Sequence, residues 1–83
     1  MPTIDRYFDR PSIDRYFDRY EQGYRWVVTE RPTTLDGRYV RWPRSAQFCD
    51  WIHGDSAEAV ARAFAADVAM RGWDAAYAAL STD

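Results

Sequence analysis

Lysine is absent from this sequence, and all eleven of its basic residues are arginine. The bias points to a GC-rich genome or to a demand for planar, bidentate contacts, and the genomic origin is the simpler. A single cysteine, Cys49, cannot close an internal disulfide. No apolar run is long enough for the core of a secretory leader or for a membrane span, so a cytoplasmic protein without a membrane partner is expected. Catalytic signatures are missing too. There is no Gly-rich phosphate loop, HExxH or CxxC spacing, and one His with one Cys is too few ligands for an ordinary zinc site. Cys49 and His53, with Asp50 and Asp55 nearby, superficially supply a nucleophile, a base and an orienting group. A core thiol and a loop histidine are the commoner origin of such a set. The expectation is therefore a protein that is not an enzyme and needs no cofactor or metal.

What is present is rings and polarised charge. A chain of 83 residues makes one domain, burying roughly 60 to 65% of its unfolded surface. Its 47% hydrophobic and 17% aromatic content calls for a packed core. Four Trp, six Tyr and four Phe exceed what a small core needs, so some rings should face a partner. The net charge of −2 divides unevenly, with −1 over residues 1–22, +3 over residues 23–44 and −4 over residues 45–83. A basic middle and an acidic end polarise the surface.

The first nineteen residues hold a tandem repeat: PTIDRYFDR at 2–10 and PSIDRYFDR at 11–19. Ile4, Tyr7 and Phe8 stand at i, i+3 and i+4, and Ile13, Tyr16, Phe17 and Tyr20 extend that spacing to i+7, which predicts two short amphipathic helices. Thr3 and Ser12 would cap them, and Pro11 would separate them. Both helices are too short to stand alone, and like-charge pairs such as Asp14 with Asp18 and Arg15 with Arg19 weaken them. Their apolar faces must dock, either both on this domain's own core after a tandem duplication or one on the core and one on a partner. Two identical faces cannot share one site, so on the second alternative Ile13, Tyr16, Phe17 and Tyr20 are assigned to the fold. Ile4, Tyr7 and Phe8 of the first copy are assigned to a partner or to the second protomer of a homodimer.

Both copies of IDRYF resemble the hydrophobic half of the PIP box, the clamp-binding peptide of eukaryotic and archaeal replication proteins. The resemblance implies a sliding clamp as partner and one helical turn as the binding form, with Ile4 and Ile13 as aliphatic plugs and Tyr7, Phe8, Tyr16 and Phe17 as aromatic forks. The family's glutamine, three residues before the plug, is Met1 in one copy and Arg10 in the other.

Downstream, residues 24–30 and 38–42 are rich in aromatic and β-branched residues and read as a hairpin, with Asp36-Gly37 as turn residues. Residues 46–52 read as a third strand. A long helix follows. Asp55 or Ser56 is its expected cap, Asp55 to Glu58 has capping-box spacing, and Val60, Ala61, Phe64, Val68 and Ala69 trace its apolar stripe up to Gly72. A short helix from Asp74 to Leu80 brings Trp73, Tyr77 and Leu80 to the core or to a neighbour. The expected fold class is α+β: a duplicated helical segment over 1–22, then a β-β-β-α-α unit over 23–83 with one long and one short helix on one face of a small antiparallel sheet.

Three functional readings stay open. Arg25, Arg38 and Arg41, interleaved with Tyr39 and Trp42, have the composition of a sheet that contacts phosphates and stacks on bases. That order also resembles the arm-binding domains of phage integrases. In size and acidity the chain resembles the small phage and mobile-element proteins that block host defence, such as anti-CRISPR proteins. This resemblance implies an inhibitor that occludes a larger protein or nucleoprotein complex, with Glu58, Asp67 and Asp74 turned toward a basic groove. The third reading is clamp binding through the repeats.

Overall fold

A computed structural model describes residues 10–31, 33–35, 38–41 and 43–80, with side chains at 10–31 and 43–80. The second repeat copy is extended. It forms strand β1 (Ser12–Asp18), which corrects the helix expected there. Ile13 and Phe17 share a face under either period, Tyr16 only under the helical one, and pairing decides for the strand. All seven residues align with β2 (Gly23–Thr29), from Ser12 opposite Thr29 to Asp18 opposite Gly23. Extension also spreads Asp14 and Asp18 to roughly 13 Å along the strand, where a helix would stack them one turn apart. The first copy, with its expected helix, lies outside the described residues.

Asp18 closes the β1–β2 connection. Its Oδ1 accepts the N–H groups of Tyr20 (2.9 Å) and Glu21 (3.0 Å), and Gln22 completes the turn with a φ of 53°. On the other side of β2 lies β5 (Ser45–Cys49), also antiparallel, so the sheet order is β1-β2-β5.

The expected pairing of 24–30 with 38–42 is replaced. Strand β4 (Arg38–Arg41) pairs with β3 (Thr33–Leu35) in a separate two-stranded hairpin. Leu35 opposite Arg38 leaves two residues between them, the loop length that Asp-Gly serves best. A longer register with β2 would have to abandon that turn. The hairpin is tied at its base, where Glu30 N–H donates to the Arg44 carbonyl at 2.7 Å.

The third strand is also shorter than expected. It stops at Cys49, and residues 50–53 turn at once into α1 (Asp50–His53). After a 3-10 turn over Gly54–Ser56 come α2 (Ala57–Arg71) and α3 (Trp73–Leu80). No side chain caps α2, because the Ser56 hydroxyl donates to the His53 carbonyl instead (2.7 Å), so the expected capping box is not formed. At the other end Gly72, with φ 90°, takes the left-handed-side conformation that stops the helix, and its N–H reaches the Val68 carbonyl at 2.8 Å.

Helix α2 lies on one face of the sheet. Val28, Phe48, Ala61, Phe64, Ala65, Val68, Trp73 and Ala76 form the buried cluster, with Ile13, Trp26, Ala46 and Val60 packed against it. The expected stripe of α2 is thus its buried side. Phe64 sits at the centre, 5.4 Å from the Phe48 ring and 5.1 Å from the Trp73 ring. The alanines between these rings let the helix approach closely. The molecule is α+β, with a three-stranded antiparallel sheet preceding its helices and α3 packed on α2.

Candidate functional site

Strand alternation decides which rings the helix can cover. Ile13, Arg15 and Phe17 of β1 share the α2 side of the sheet with Tyr24, Trp26 and Val28 of β2 and with Ala46 and Phe48 of β5. The rows through Val28 and Trp26 meet α2. The outermost row, Phe17 opposite Tyr24, does not. There Phe17 stands edge-on to Tyr24 at 5.3 Å, Tyr24 tilts toward Trp26 at 6.2 Å, and the Arg15 guanidinium lies 4.5 Å over the Tyr24 ring. Phe17 remains 55% exposed. Tyr20, in the turn, is 97% exposed.

Helix α1 packs at the same end of the sheet. Asp50 Oδ2 accepts the Tyr24 N–H at 2.9 Å, a donor beyond the last β2–β5 pair. The close approach requires a glycine, since a Cβ on Gly23 would lie 2.2 Å from Asp50 Oδ1 and 3.0 Å from the Trp51 ring. Pinned in this way, α1 leaves Trp51 partly exposed and Ile52 70% exposed. Phe17 and Tyr24 on the α2 side, Tyr20 in the turn, and Trp51 and Ile52 of α1 are thus all exposed at this end of the sheet, with the Trp51 ring against the Gly23 position on the other face. Of the four residues assigned to the fold as a helical stripe, only Ile13 packs on the core. Tyr16, Phe17 and Tyr20 face outward, because an edge strand offers the core only alternate residues and α2 covers only the first of them.

The opposite end is organised by Arg44. Its side chain donates to both Glu30 oxygens (3.2 and 2.9 Å) and to Asp74 Oδ1 (2.6 Å), and it lies 5.5 Å over the Trp73 ring. The hydrogen bond to Glu30 is the main reason its pKa is raised, with partial burial opposing and Asp74 adding. Beside it Arg44, Ser45, Trp73, Asp74, Tyr77 and Ala78 line an open groove of about 490 Å³. Tyr77 stacks on Trp73 at 6.1 Å. Sequence reasoning named Asp74 here but missed Arg44. Its partner Glu30 is fourteen residues away, and no local pattern links them.

The three expected acidic contacts do not share a surface. Glu58 and Asp67 are nine residues apart on α2, about 180° around the helix. Each already holds an arginine one turn on: Glu58 pairs with Arg62 (2.9 Å) and Asp67 with Arg71 (2.5 Å). That bond holds the Asp67 carboxyl below the usual aspartate range. Asp74 is on α3.

Of the expected nucleic-acid set, Arg25 lies on the face of the sheet away from α2. There it pairs with Asp18 (3.1 Å) and Gln47 (3.3 Å), while its buried Nε has no partner. Arg38, Tyr39 and Arg41 belong to the β3–β4 hairpin, and their side chains lie outside the described residues, as do Ile4, Tyr7, Phe8 and Trp42 entirely. The clamp-like turn is not formed by the second copy, whose Ile13, Tyr16 and Phe17 are extended.

Cys49 is buried opposite Arg25, and desolvation pushes its thiol pKa up, so thiolate is suppressed. The His53 ring lies 5.9 Å from the Phe48 ring. Among the described residues no cluster of His, Cys, Asp and Glu is placed to hold a metal ion, and no helix is long and apolar enough to cross a membrane. No protein-family model, curated protein or solved structure matches this chain.

Proposed function

We propose that this is a non-enzymatic binding protein that acts by occupying the surface of a larger protein, with the apolar end of its sheet as the contact. The observation that carries the reading is the outermost row of rings, Phe17 and Tyr24, which α2 leaves uncovered, at an end of the sheet where Tyr20, Trp51 and Ile52 are exposed too. Burying several such rings at an interface supplies the aromatic anchors that dominate binding energy, and Tyr and Trp keep their polar atoms at the rim. Asp50 and Gly23 fix the geometry in advance, which lowers the ordering cost of association. Inhibition by occlusion needs nothing more, and it agrees with the likeness to phage proteins that block host defence.

The competing nucleic-acid reading loses its best-placed cations to internal pairs. Arg25 is committed to Asp18, and Arg44 to Glu30 and Asp74. A partner isolated with the wild-type chain should lose at least about tenfold in affinity when Ile52→Asp is introduced, with the circular dichroism spectrum unchanged. Undiminished binding by that folded variant would reject the apolar end as the contact. Binding to a random-sequence duplex that persists near ~50 mM salt and fades steeply above it would favour the nucleic-acid reading instead.

A further inference from the structure

The repeat supplies two segments for one strand position. Every contact that β1 makes with the rest of the fold comes from a residue with a counterpart nine positions earlier. Ile13 packs on the core, Arg15 covers Tyr24, Phe17 meets the edge of Tyr24, and Asp18 pairs with Arg25. Ile4, Arg6, Phe8 and Asp9 are the same four side chains in the same spacing, and Pro2 matches the buried Pro11. The only difference between the copies, Thr3 for Ser12, falls at an exposed strand position opposite Thr29.

We infer that the two copies compete within one chain for the β1 position, so that the first strand can slide by nine residues and keep the same side chains facing the core, Tyr24 and Arg25. A slip of one residue in an ordinary sheet turns every core residue outward. Here a slip of one whole repeat restores each of them.

The balance between the two registers is set by the connection to β2. With the second copy in place, residues 19–22 bridge the strands. With the first copy in place, the bridge runs over residues 10–22. Lengthening the loop from four residues to thirteen costs roughly sixfold in the equilibrium. The turn also loses a bond. Asp18 Oδ1 accepts two backbone N–H groups, from Tyr20 and Glu21. The residue matching Tyr20 after the first copy is Pro11, which has no N–H to give. One lost hydrogen bond is worth about fivefold. The second copy should therefore hold the strand with the first copy in it about 3% of the time. When the first copy takes over, residues 11–19 leave the sheet and present Ile13, Tyr16 and Phe17 to solvent. An IDRYF segment is surplus to the sheet in either register.

The test disables each copy in the full chain. Ile13→Asp, Arg15→Pro and Phe17→Asp together remove the second copy as a strand, and Ile4→Asp, Arg6→Pro and Phe8→Asp remove the first. Urea unfolding should show the first-copy variant within twofold of wild type in its folding equilibrium constant, and the second-copy variant about thirtyfold lower but still cooperative. The variant with both copies disabled should fall at least a further hundredfold or fail to fold. If the second-copy variant is as unstable as the doubly disabled one, the first copy does not rescue the strand and the inference is wrong. A first-copy variant that is itself strongly destabilised would also overturn it, as would a second-copy variant whose midpoint rises with protein concentration, since the exchange is intramolecular.

Discussion

The two ends of the sheet treat the same kind of side chain differently. Beneath α2 and α3, Phe48, Phe64 and Trp73 are almost wholly buried and packed on one another, Phe48 tilted to Phe64 and Phe64 edge-on to Trp73. At the open end, Phe17, Tyr24 and Trp51 lie about half in solvent although Phe17 and Tyr24 touch. Ring chemistry cannot explain the contrast. The path of α2 can, because the rows through Val28 and Trp26 pack into its cluster and the row through Phe17 and Tyr24 does not. Burying one such ring is worth about 1.5 to 3 kcal/mol. An end that forgoes this several times over has apolar surface left to spend on a partner.

The contrast is broken or sharpened first by truncating one ring at each end. Phe64→Ala should lower stability by about 3 to 5 kcal/mol, because it empties the centre of the cluster, whereas Phe17→Ala should cost about 1 kcal/mol or less. Urea midpoints of the two variants decide the matter. Equal losses would mean that the Phe17 row is as much core as Phe64 is.

Polar pins rather than burial hold the open end, and Gly23 probes them. Gly23→Ala drives a methyl into the Asp50 carboxylate and the Trp51 ring. It should cost about 1 to 3 kcal/mol through overpacking and the strained bond to Tyr24. Amide exchange at Tyr24 should speed up in this variant, while Val28 at the covered end stays protected. Uniform loss of protection would show that the ends are not separable.

The sequence was read most faithfully where one period fits and another does not. Helix α2 spans fifteen residues, and its stripe from Val60 to Ala69 has no consistent strand alternation, so its buried side and its stop at Gly72 are both legible. In IDRYF the first and last apolar residues share a face under either period and only Tyr16 does not, so the choice rests on whether β2 offers an edge, which is tertiary information. The hairpin follows a related rule: residues 38–42 have strand composition, but composition does not name the partner, and residues 33–35 take the place expected of β2 with only two residues of chain between Leu35 and Arg38. The candidate site fared similarly. Asp74 was reachable from its place in the first turn of α3, whereas the exposure of Phe17 and Tyr24 depends on where α2 ends relative to the sheet.

Cys49 tests the face of the sheet away from α2. Cys49→Ala should cost about 1 kcal/mol, as for a small buried residue with modest packing. The wild-type thiol has its folded pKa raised by burial, so its contribution is intact below the ordinary thiol pKa and is lost as pH rises through the higher folded value. Wild-type stability should therefore fall at alkaline pH more than that of Cys49→Ala. Equal alkaline profiles would mean that the thiol is not desolvated.

The smallest effect belongs to α2's outer surface, and it separates helix charge from either end of the sheet. Asp67 is held below the ordinary aspartate pKa first by its hydrogen bond to Arg71 and then by that cation's charge, with slight desolvation opposing. A depressed carboxyl stabilises the fold above its unfolded pKa, and the benefit is lost as pH falls through the folded value. The pair is solvent-screened, so the loss should be barely measurable in unfolding curves. A carboxyl titration followed by nuclear magnetic resonance should nevertheless place Asp67 below the ordinary aspartate range. Arg71→Gln should return it to the ordinary range without changing the aromatic contacts at either end. If Asp67 titrates normally in the wild-type chain, the pair does not persist in solution, and Asp67 is as free to meet a basic partner as its sequence position first suggested.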